Sequence, residues 1–250
     1  MKTIRLETVD STNTFVKRYL KDHSLPSCED GRLLVIADEQ TAGRGRTGKT
    51  FSSLKDNGLY MTLAVPADKK PKELLMLTPA AAVAVLSVLE EEGCRGLGIK
   101  WVNDILDADM KKVCGILTEG VRDPDTGLIS YAVIGIGLNA GTDVGRLPEE
   151  LGNIAGSITV RSGKTELAEK IAGRVSQFAD RILAGDREDV LKKYRESSIL
   201  TGKAITWEQD GILRSGVADS VNDDCNLVVR TEEDTIILNS GMVSVRPAKK

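Results

Sequence analysis

The sequence contains few of the residues that most often carry acid–base or redox chemistry. His23 is its only histidine and lies in a polar stretch, which favours a surface residue over a catalytic one. Its four cysteines are scattered and form no Cys-x-x-Cys pair, a pattern typical of reduced thiols in a cytoplasm. We therefore expect a cytoplasmic protein whose chemistry does not depend on histidine.

The sequence also lacks a surplus of positive charge, a membrane-length apolar run and a signal peptide. Its 34 basic and 37 acidic side chains give a net charge of −3, which provides no global field to recruit nucleic acid. No apolar run reaches the roughly 18 residues that span a bilayer, and the first residues contain no apolar signal core. The 250 residues, 41% of them hydrophobic, are typical of a soluble globular protein with one large domain, or one large and one small. DNA and membrane partners are not expected.

Acidic residues are missing from positions 40–55, and this stretch is the most informative part of the chain. Three glycines alternate there with three cations, in the order Gly43, Arg44, Gly45, Arg46, Gly48 and Lys49. Glycines let the backbone approach a ligand closely, turns of this kind present N–H groups to anions, and arginine can bind a carboxylate or phosphate through two hydrogen bonds. The stretch predicts a loop that closes over an anionic small molecule; the competing interpretation is a solvated basic hairpin with turn glycines.

Two known phosphate-binding patterns compete for the same stretch. We do not interpret residues 43–50 as the ATP-binding loop Gly-x4-Gly-Lys-Ser/Thr. Residues 43–48 fit the dinucleotide-binding pattern Gly-x-Gly-x-x-Gly, but residues 60–65 beyond them resemble a strand, where that pattern needs a helix. The sequence therefore points to an anion-binding loop outside both classes.

Hydrophobic periodicity predicts an α+β fold, in which core strands are packed with helices and followed by a small β-domain. Helices are predicted over residues 12–20, 72–92, 166–183 and 187–198. Core strands are predicted over residues 33–37, 59–65, 97–102, 112–119 and 131–138. Short strands follow at residues 204–207, 213–218, 226–229, 235–238 and 243–245. They predict a small β-barrel, so we expect a division into residues 1–200 and residues 201–250.

Two polar clusters lie at the ends of predicted elements. Ser11, Thr12 and Asn13 open the first helix, where capping explains one of the three and binding of a polar heterocycle could explain all of them. Asn103 and Asp104 follow a strand, where α/β proteins often place their sites. The competing interpretation of that pair is an ordinary turn.

The strand at residues 112–119 begins with two lysines. One of Lys111 and Lys112 is expected in solvent, and the other could point inward at a phosphate. Gly115 within the strand indicates close packing against its backbone. Cys114 has apolar neighbours and no histidine partner, so we expect it in the core and not as a nucleophile.

The next strand carries glycines on one face. Gly135 and Gly137 lie two residues apart and therefore clear a surface on the same side. Asn139 at the strand end offers both a donor and an acceptor, which suits an adenine edge or a turn.

Taken together and in this order, these segments resemble the biotin protein ligase (biotin–[acetyl-CoA-carboxylase] ligase) family, in its short form without an N-terminal DNA-binding domain. The segments that carry the resemblance are residues 11–13, 40–48, 100–104, 112–117 and 135–139. The run Gly-Arg-Gly-Arg-x-Gly, joined to a Lys-x-x-Gly-Ile-Leu strand, is highly specific to this family. The resemblance implies a catalytic domain of the biotin/lipoate ligase type, with a mixed β-sheet packed with helices, and a C-terminal SH3-like β-barrel.

The resemblance implies an enzyme that activates biotin with ATP to biotinyl-5′-AMP and then transfers biotin to a lysine of a biotin carboxyl carrier protein. It implies Mg²⁺ as a companion of ATP, with no protein metal ligands, and allows a homodimer. Lys112 and Arg46 would be catalytic. The implied biotin-binding residues are Ser11, Thr12, Asn13, Gln40, Gly43, Arg44, Gly45, Arg46, Lys112 and Gly115. The implied ATP-binding residues are Arg46, Lys49, Asn103, Asp104, Lys112 and Asn139.

The sequence departs from the family pattern at three positions. Val102 stands where the motif usually has proline, and Thr50 where the family often has an aromatic residue. Lys49 stands where an arginine is common, so a bidentate contact to an anion would become the contact of a point charge.

Three other functions compete with this interpretation. Lipoate ligase uses similar two-step chemistry, but its glycine-rich segment differs and the Arg-x-Arg-x-Gly-Lys run here favours biotin. A ligase–repressor would carry a winged-helix domain of about sixty residues in front, whereas ten residues precede Ser11, so no DNA-reading domain is expected. A non-catalytic biotin-binding module is disfavoured by Lys112 and Arg46.

Overall fold

We describe the protein from a computed structural model, which covers residues 1–22, 30–209, 211–239 and 245–247. His23 and Cys28 lie outside the described residues, so the expectations for them stay expectations. The three cysteines within the described ranges, Cys94, Cys114 and Cys225, are free thiols and are buried.

A seven-stranded sheet forms the centre of the protein. Its strands are β1 (Lys2–Val9), β2 (Leu33–Gln40), β3 (Leu59–Lys69), β4 (Gly98–Lys100), β5 (Asp104–Leu106), β6 (Lys112–Arg122) and β7 (Ile129–Leu138). They lie in the order β1-β2-β3-β7-β6-β5-β4. β1 and β2 are parallel, and every other pair of neighbouring strands in this sheet is antiparallel. The sheet is therefore mixed, and the predicted α+β class is confirmed.

Helices cover both faces of this sheet. They are α1 (Thr12–Asp22), α2 (Leu77–Glu91), α3 (Glu149–Gly152), α4 (Lys164–Leu183) and α5 (Glu188–Glu196). Successive residues of a strand point to opposite faces, so Leu33 and Val35 pack with Val16 of α1, whereas Leu34 and Ile36 join the core under α2 and α4. Burial on both faces explains why β2 is a continuous apolar run.

α2 is apolar on most sides because it lies in the core. The wider segment Pro71–Glu91 is long enough to cross a bilayer and contains an 18-residue window with a mean hydropathy of 1.7, but 72% of this window is buried inside the protein. The single helix predicted at 72–92 is divided in two. Pro71–Leu74 forms a short 3-10 helix, and α2 begins at Leu77.

The C-terminal strands form a second, antiparallel sheet. They are β8 (Ala204–Gln209), β9 (Ile212–Val221), β10 (Leu227–Arg230), β11 (Thr235–Leu238) and β12 (Val245–Pro247), in the order β11-β10-β9-β8-β12. Residues 243 and 244 of the last predicted strand lie outside the described residues. The indole N–H of Trp101 donates to the backbone oxygen of Cys225 at 2.8 Å, and both residues belong to one apolar core. The boundary at residue 200 stays a prediction.

The glycine–arginine segment is a hairpin between two antiparallel strands. Gln40 pairs with Ser53 and Arg44 with Thr50, so we call residues 40–53 the glycine–arginine hairpin. The letters of residues 43–50 do satisfy the ATP-binding pattern Gly-x4-Gly-Lys-Ser/Thr, so the sequence alone does not exclude that class. What excludes that class is the structure, since such a loop leads from a strand into a helix, whereas this hairpin leads from β2 into β3.

Candidate active site

The glycines of β6 and β7 make a bare patch on one face of the sheet. Gly115 and Gly137 lie directly opposite each other in the β6–β7 pair. The ring of Phe51, from the glycine–arginine hairpin, covers both: a Cβ at Gly137 would lie 2.5 Å from its Cε1, and a Cβ at Gly115 would lie 3.1 Å from its Cε2. At Gly135 a Cβ would lie 2.3 Å from Oδ1 of Asn13. The predicted cleared surface is present, and side chains from the hairpin and from α1 lie against it.

Lys112 points into this patch. Its Nζ lies 2.7 Å from Oδ1 of Asp104 and 5.6 Å from the centroid of the Phe51 ring. The absence of a side chain at Gly115 makes this position available, because a Cβ there would lie 2.7 Å from the same Nζ. Of Lys111 and Lys112, it is therefore Lys112 whose side chain points toward the site.

Arg46 approaches the same point from the hairpin. Its Nη1 donates to Oδ1 of Asn103 at 2.8 Å, and Nδ2 of Asn103 donates to the backbone oxygen of Ile116 at 2.9 Å and lies 3.1 Å from Oδ1 of Asp104. Burial lowers the pKa of the Arg46 guanidinium, and the charge of Asp104 acts in the opposite direction. An arginine whose ordinary pKa is above 12 stays charged at neutral pH.

Asn103 and Asp104 sit in a tight hairpin and not at the end of a long strand. The strand predicted at 97–102 is only Gly98–Lys100, and the next strand starts at Asp104. The peptide bond between Trp101 and Val102 in this turn is cis. The turn therefore delivers Asn103 and Asp104 side by side to the edge of the glycine patch.

A row of hydrogen-bonded polar side chains runs beneath the sheet beside this patch. We call Ser53, Gln40, Thr12, Thr62, Asn13 and Glu119 the polar row. Gln40 accepts the backbone N–H of Thr12 at 2.9 Å and donates to Ser53 at 2.7 Å. The hydroxyl of Thr62 lies 2.7 Å from both Thr12 Oγ1 and Asn13 Oδ1. Asn13 in turn donates to Glu119 at 2.9 Å.

Glu119 ends the polar row and also holds two cations. Its Oε1 lies 2.7 Å from Lys17 of α1 and 3.3 Å from Arg44 of the hairpin. Burial by itself would raise the pKa of Glu119, but the hydrogen bonds from Lys17 and Asn13 outweigh it, and the pKa lies below its ordinary value. Glu119 is therefore ionised at neutral pH and links α1, β6 and the hairpin.

The remaining predicted site residues differ in how close they lie to this centre. Ser11 is buried beside the polar row at 3% exposure, and Gly43 has no room for a side chain because a Cβ would lie 2.3 Å from the backbone oxygen of Phe51. Gly45 and Lys49 close the tip of the hairpin through a 2.6 Å backbone hydrogen bond, and the Lys49 side chain is exposed. Asn139 uses its amide nitrogen to bind the backbone oxygens of Lys112 and Gly156 at 3.1 and 2.9 Å.

The site has few carboxylates that could bind a metal ion. Over the ranges that the structure describes, no group of three or more His, Cys, Asp or Glu side chains could hold a metal ion. Asp104 is the carboxylate beside Lys112 and Arg46. Since Mg²⁺ is often held by one or two carboxylates together with substrate phosphates, Asp104 fits a shared site and not a protein-built one.

Sequence reasoning missed four residues that shape the site. They are Thr62, Ser53, Phe51 and Glu119, which belong to no recognisable motif. Thr62 and Glu119 lie 49 and 106 residues along the chain from Asn13, whose side chain they contact. The one available signal was at Glu119, an acidic residue in a strand that is apolar from Val113 to Leu117.

The fold and this site define the class of the protein. Residues 6–139, more than half of the chain, match the model of the biotin/lipoate A/B protein ligase family, and the chain belongs to that family. It is 40% identical over 131 residues to the bifunctional ligase/repressor BirA of Bacillus subtilis, a match that spans 52% of this chain and 39% of that relative. The chain thus spans well under two thirds of the length of this relative.

Other relatives match over more of their length. The biotin–[acetyl-CoA-carboxylase] ligase of Mycobacterium tuberculosis is 28% identical over 222 residues, which are 84% of this chain and 78% of that protein. The biotin protein ligase of Aquifex aeolicus in complex with biotin and ATP superposes with a TM-score of 0.80 at 26% identity and covers 99% of both chains.

Proposed function

We propose that this protein is a biotin protein ligase, which forms biotinyl-5′-AMP from biotin and ATP and transfers biotin to a lysine of a biotin carboxyl carrier protein. One observation carries the proposal. A continuous chain of contacts from Arg46 through Asn103 and Asp104 to Lys112 brings two cations to the edge of the glycine patch. The polar row lies beside this patch and offers the neutral donors and acceptors that a cyclic urea would need.

The first step joins two anions, and the cations of the site address that difficulty. An oxygen of the biotin carboxylate attacks the α-phosphorus of ATP, the bond to the β-phosphate breaks, and pyrophosphate leaves. Lys112 and Arg46 offset the repulsion between carboxylate and phosphate and stabilise the charge that develops on the transferring phosphoryl group. Asp104, which pairs with Lys112, is the residue that would hold a magnesium ion accompanying ATP, and that ion would offset further phosphate charge.

The second step needs protection from water. The amine of the carrier lysine attacks the carbonyl carbon of the mixed anhydride, an amide forms, AMP leaves, and the amine loses a proton. Because the mixed anhydride hydrolyses readily, a cover over the site favours transfer to the carrier. The glycine–arginine hairpin is placed as that cover, and Arg46 and Arg44 hold it down through Asn103 and Glu119.

These two steps assign a role to each residue of the site. Ser11, Thr12, Asn13 and Gln40 bind the polar end of biotin, with Gly43, Arg44, Gly45 and Gly115 around it. Arg46, Lys49, Asn103, Asp104, Lys112 and Asn139 face the nucleotide. The carrier is a subunit of acetyl-CoA carboxylase or another biotin-dependent carboxylase, as the name of the Mycobacterium tuberculosis relative suggests. We extend the proposal to an SH3-like arrangement of the C-terminal sheet, a cytoplasmic location and a homodimer that does not bind DNA.

The two lysines at the start of β6 provide a matched test. The protein is incubated with Mg·ATP, labelled biotin and a biotin carrier domain, and pyrophosphate release and covalent label are measured. Lys112→Ala is expected to lower the rate of adenylate formation by a factor of about 10² to 10³, the usual cost of losing one such charge contact. Lys111→Ala is the control and should retain wild-type activity, and thermal melting of both variants checks their folding.

Two outcomes would contradict the proposal. Pyrophosphate release that depends on lipoate or octanoate and not on biotin would make the protein a lipoate-type ligase. Biotin binding without pyrophosphate release would make it a non-catalytic module.

A further inference from the structure

The direction of the hydrogen bonds in the polar row is determined at Asn13, by two oxygens that can only accept. A carboxylate accepts hydrogen bonds and cannot donate them, so Asn13 must turn its amide nitrogen toward Glu119, at 2.9 Å, and toward the backbone oxygen of Leu117, at 3.2 Å. The amide oxygen of Asn13 then faces Thr62. That oxygen cannot donate, so the single hydroxyl hydrogen of Thr62 goes to Asn13.

The same reasoning continues to Thr12. Its Oγ1 lies 2.7 Å from Thr62 Oγ1. Because the Thr62 hydrogen is already used, this contact draws on the hydroxyl hydrogen of Thr12, which Oε1 of Gln40 also accepts at 3.1 Å. All three residues are at most 3% exposed, so water is not a ready substitute partner. The orientations of Thr12, Thr62 and Asn13 are therefore linked, and the linkage starts at the two acceptors of the Asn13 amide, the Glu119 carboxylate and the backbone oxygen of Leu117.

We infer that Glu119 and Thr62 are positioning residues for biotin: the acceptor-only carboxylate of Glu119, transmitted through Asn13 and Thr62, fixes the donor and acceptor pattern that Thr12 and Asn13 present to the ligand. This inference rests on the proposed function, which makes Thr12 and Asn13 biotin-binding residues. Neither Glu119 nor Thr62 needs to touch the ligand. A ligand that carries both donors and acceptors is selected by such a pattern only if the pattern has one orientation.

The substitution Glu119→Gln weakens this constraint with little change in shape. A glutamine amide can donate as well as accept, so only the 3.2 Å contact to the backbone oxygen of Leu117 then opposes a turnover of Asn13, with which the hydroxyls of Thr62 and Thr12 reverse. Two arrangements then compete, and only one of them matches the ligand. Hydrogen bonds to charged groups contribute enough that we expect the KM for biotin to rise by roughly tenfold or more. The KM for ATP should change by less than about twofold, because Lys112, Arg46 and Asp104 are untouched.

A second variant tests the relay itself. Thr62→Val keeps the volume of a buried side chain and removes its hydroxyl, which interrupts the chain between Thr12 and Asn13 without touching any ion pair. It should also raise the KM for biotin selectively. Because valine is favourable in a buried strand, this variant keeps the inference testable if Glu119→Gln folds poorly.

Two controls separate positioning from stability. Lys17→Met removes a cation that Glu119 binds at 2.7 Å but leaves the Asn13 contact intact, so it should lower the melting temperature without raising the KM for biotin. Glu169→Gln removes an exposed ion pair with Arg5 and should alter neither quantity. A direct readout is the dissociation constant of biotin measured by calorimetry in the absence of ATP.

The results divide cleanly. Selective loss of biotin affinity in Glu119→Gln and Thr62→Val, with Lys17→Met unaffected, supports the inference. Wild-type biotin affinity in both variants, or an equal loss of biotin and ATP affinity, overturns it. If the wild-type protein itself neither binds biotin nor releases pyrophosphate, the proposed function fails and this inference fails with it.

Discussion

The close contact between Gly137 and Phe51 leads to a prediction that needs no ligand. In Gly137→Ala the new Cβ would lie 2.5 Å from Cε1 and 2.6 Å from Cζ of the ring. Carbon atoms pack best at about 3.5–4.0 Å, so the ring must move by about 1 Å. Overpacking of this kind costs about 1–3 kcal/mol, while the loss of glycine from the unfolded chain returns about 0.4–1 kcal/mol. We expect a net loss in the free energy of unfolding of roughly 1–2 kcal/mol.

The assay is urea unfolding of single and double variants. In Phe51→Ala/Gly137→Ala the obstacle is gone, so the double variant should be more stable than the sum of the two single effects predicts, by about the overpacking cost. Gly173→Ala is the matched control, because it lies in α4 with no atom within 4 Å of the new Cβ. A helical glycine replaced by alanine should stabilise the protein by roughly 0.5–1 kcal/mol. Strict additivity of Gly137→Ala and Phe51→Ala would refute the assigned position of the Phe51 ring.

Three further predictions concern acid stability, thiol chemistry and retention of the intermediate. Lys170 and Ser162 lower the pKa of Glu92 from 4.5 to about 2, so its contribution to stability is complete above pH 4.5 and is lost as the pH falls toward 2. Glu92→Gln should therefore melt below the wild type at pH 7, with a gap that closes on acidification; a gap independent of pH would contradict this. Burial raises the pKa of Cys114 to about 12, so the folded protein should not label there with iodoacetamide at pH 8, and Cys114→Ala should keep adenylation activity; inactivation would reveal a chemical role. Arg46→Gly should release biotinyl-5′-AMP and label bystander lysines, and unchanged carrier specificity would disprove the role of the hairpin.

Elements with a strong apolar period could be predicted from the sequence. The strands predicted at 112–119 and 131–138 appear as Lys112–Arg122 and Ile129–Leu138, and the helix predicted at 166–183 as Lys164–Leu183. Each buries most of its apolar side chains, so burial and periodicity coincide.

Elements whose stability comes from a distant neighbour were not predicted. β1 lies at the edge of the sheet, and its apolar and polar residues alternate only weakly. Its pairing with β2, and not its composition, makes it a strand. β5 has only three residues and exists because β4 and β6 flank it. Thr62 and Glu119 of the polar row were missed for a similar reason, since Thr62 looks like any other strand threonine until α1 brings Asn13 within 2.7 Å.

The hydrogen bond from Trp101 to Cys225 has a practical consequence for shortening the chain. A fragment that ends at residue 200 would expose Trp101, which is 3% exposed in the whole protein and immediately precedes the turn that carries Asn103 and Asp104. It would also lose the cover that Trp207 and Leu227 give to the shared core. Such a fragment should be prone to aggregate and to be cut by proteases near Val102. Tags and fusions are better attached at exposed hairpin tips of the C-terminal sheet, in a chain that keeps this sheet.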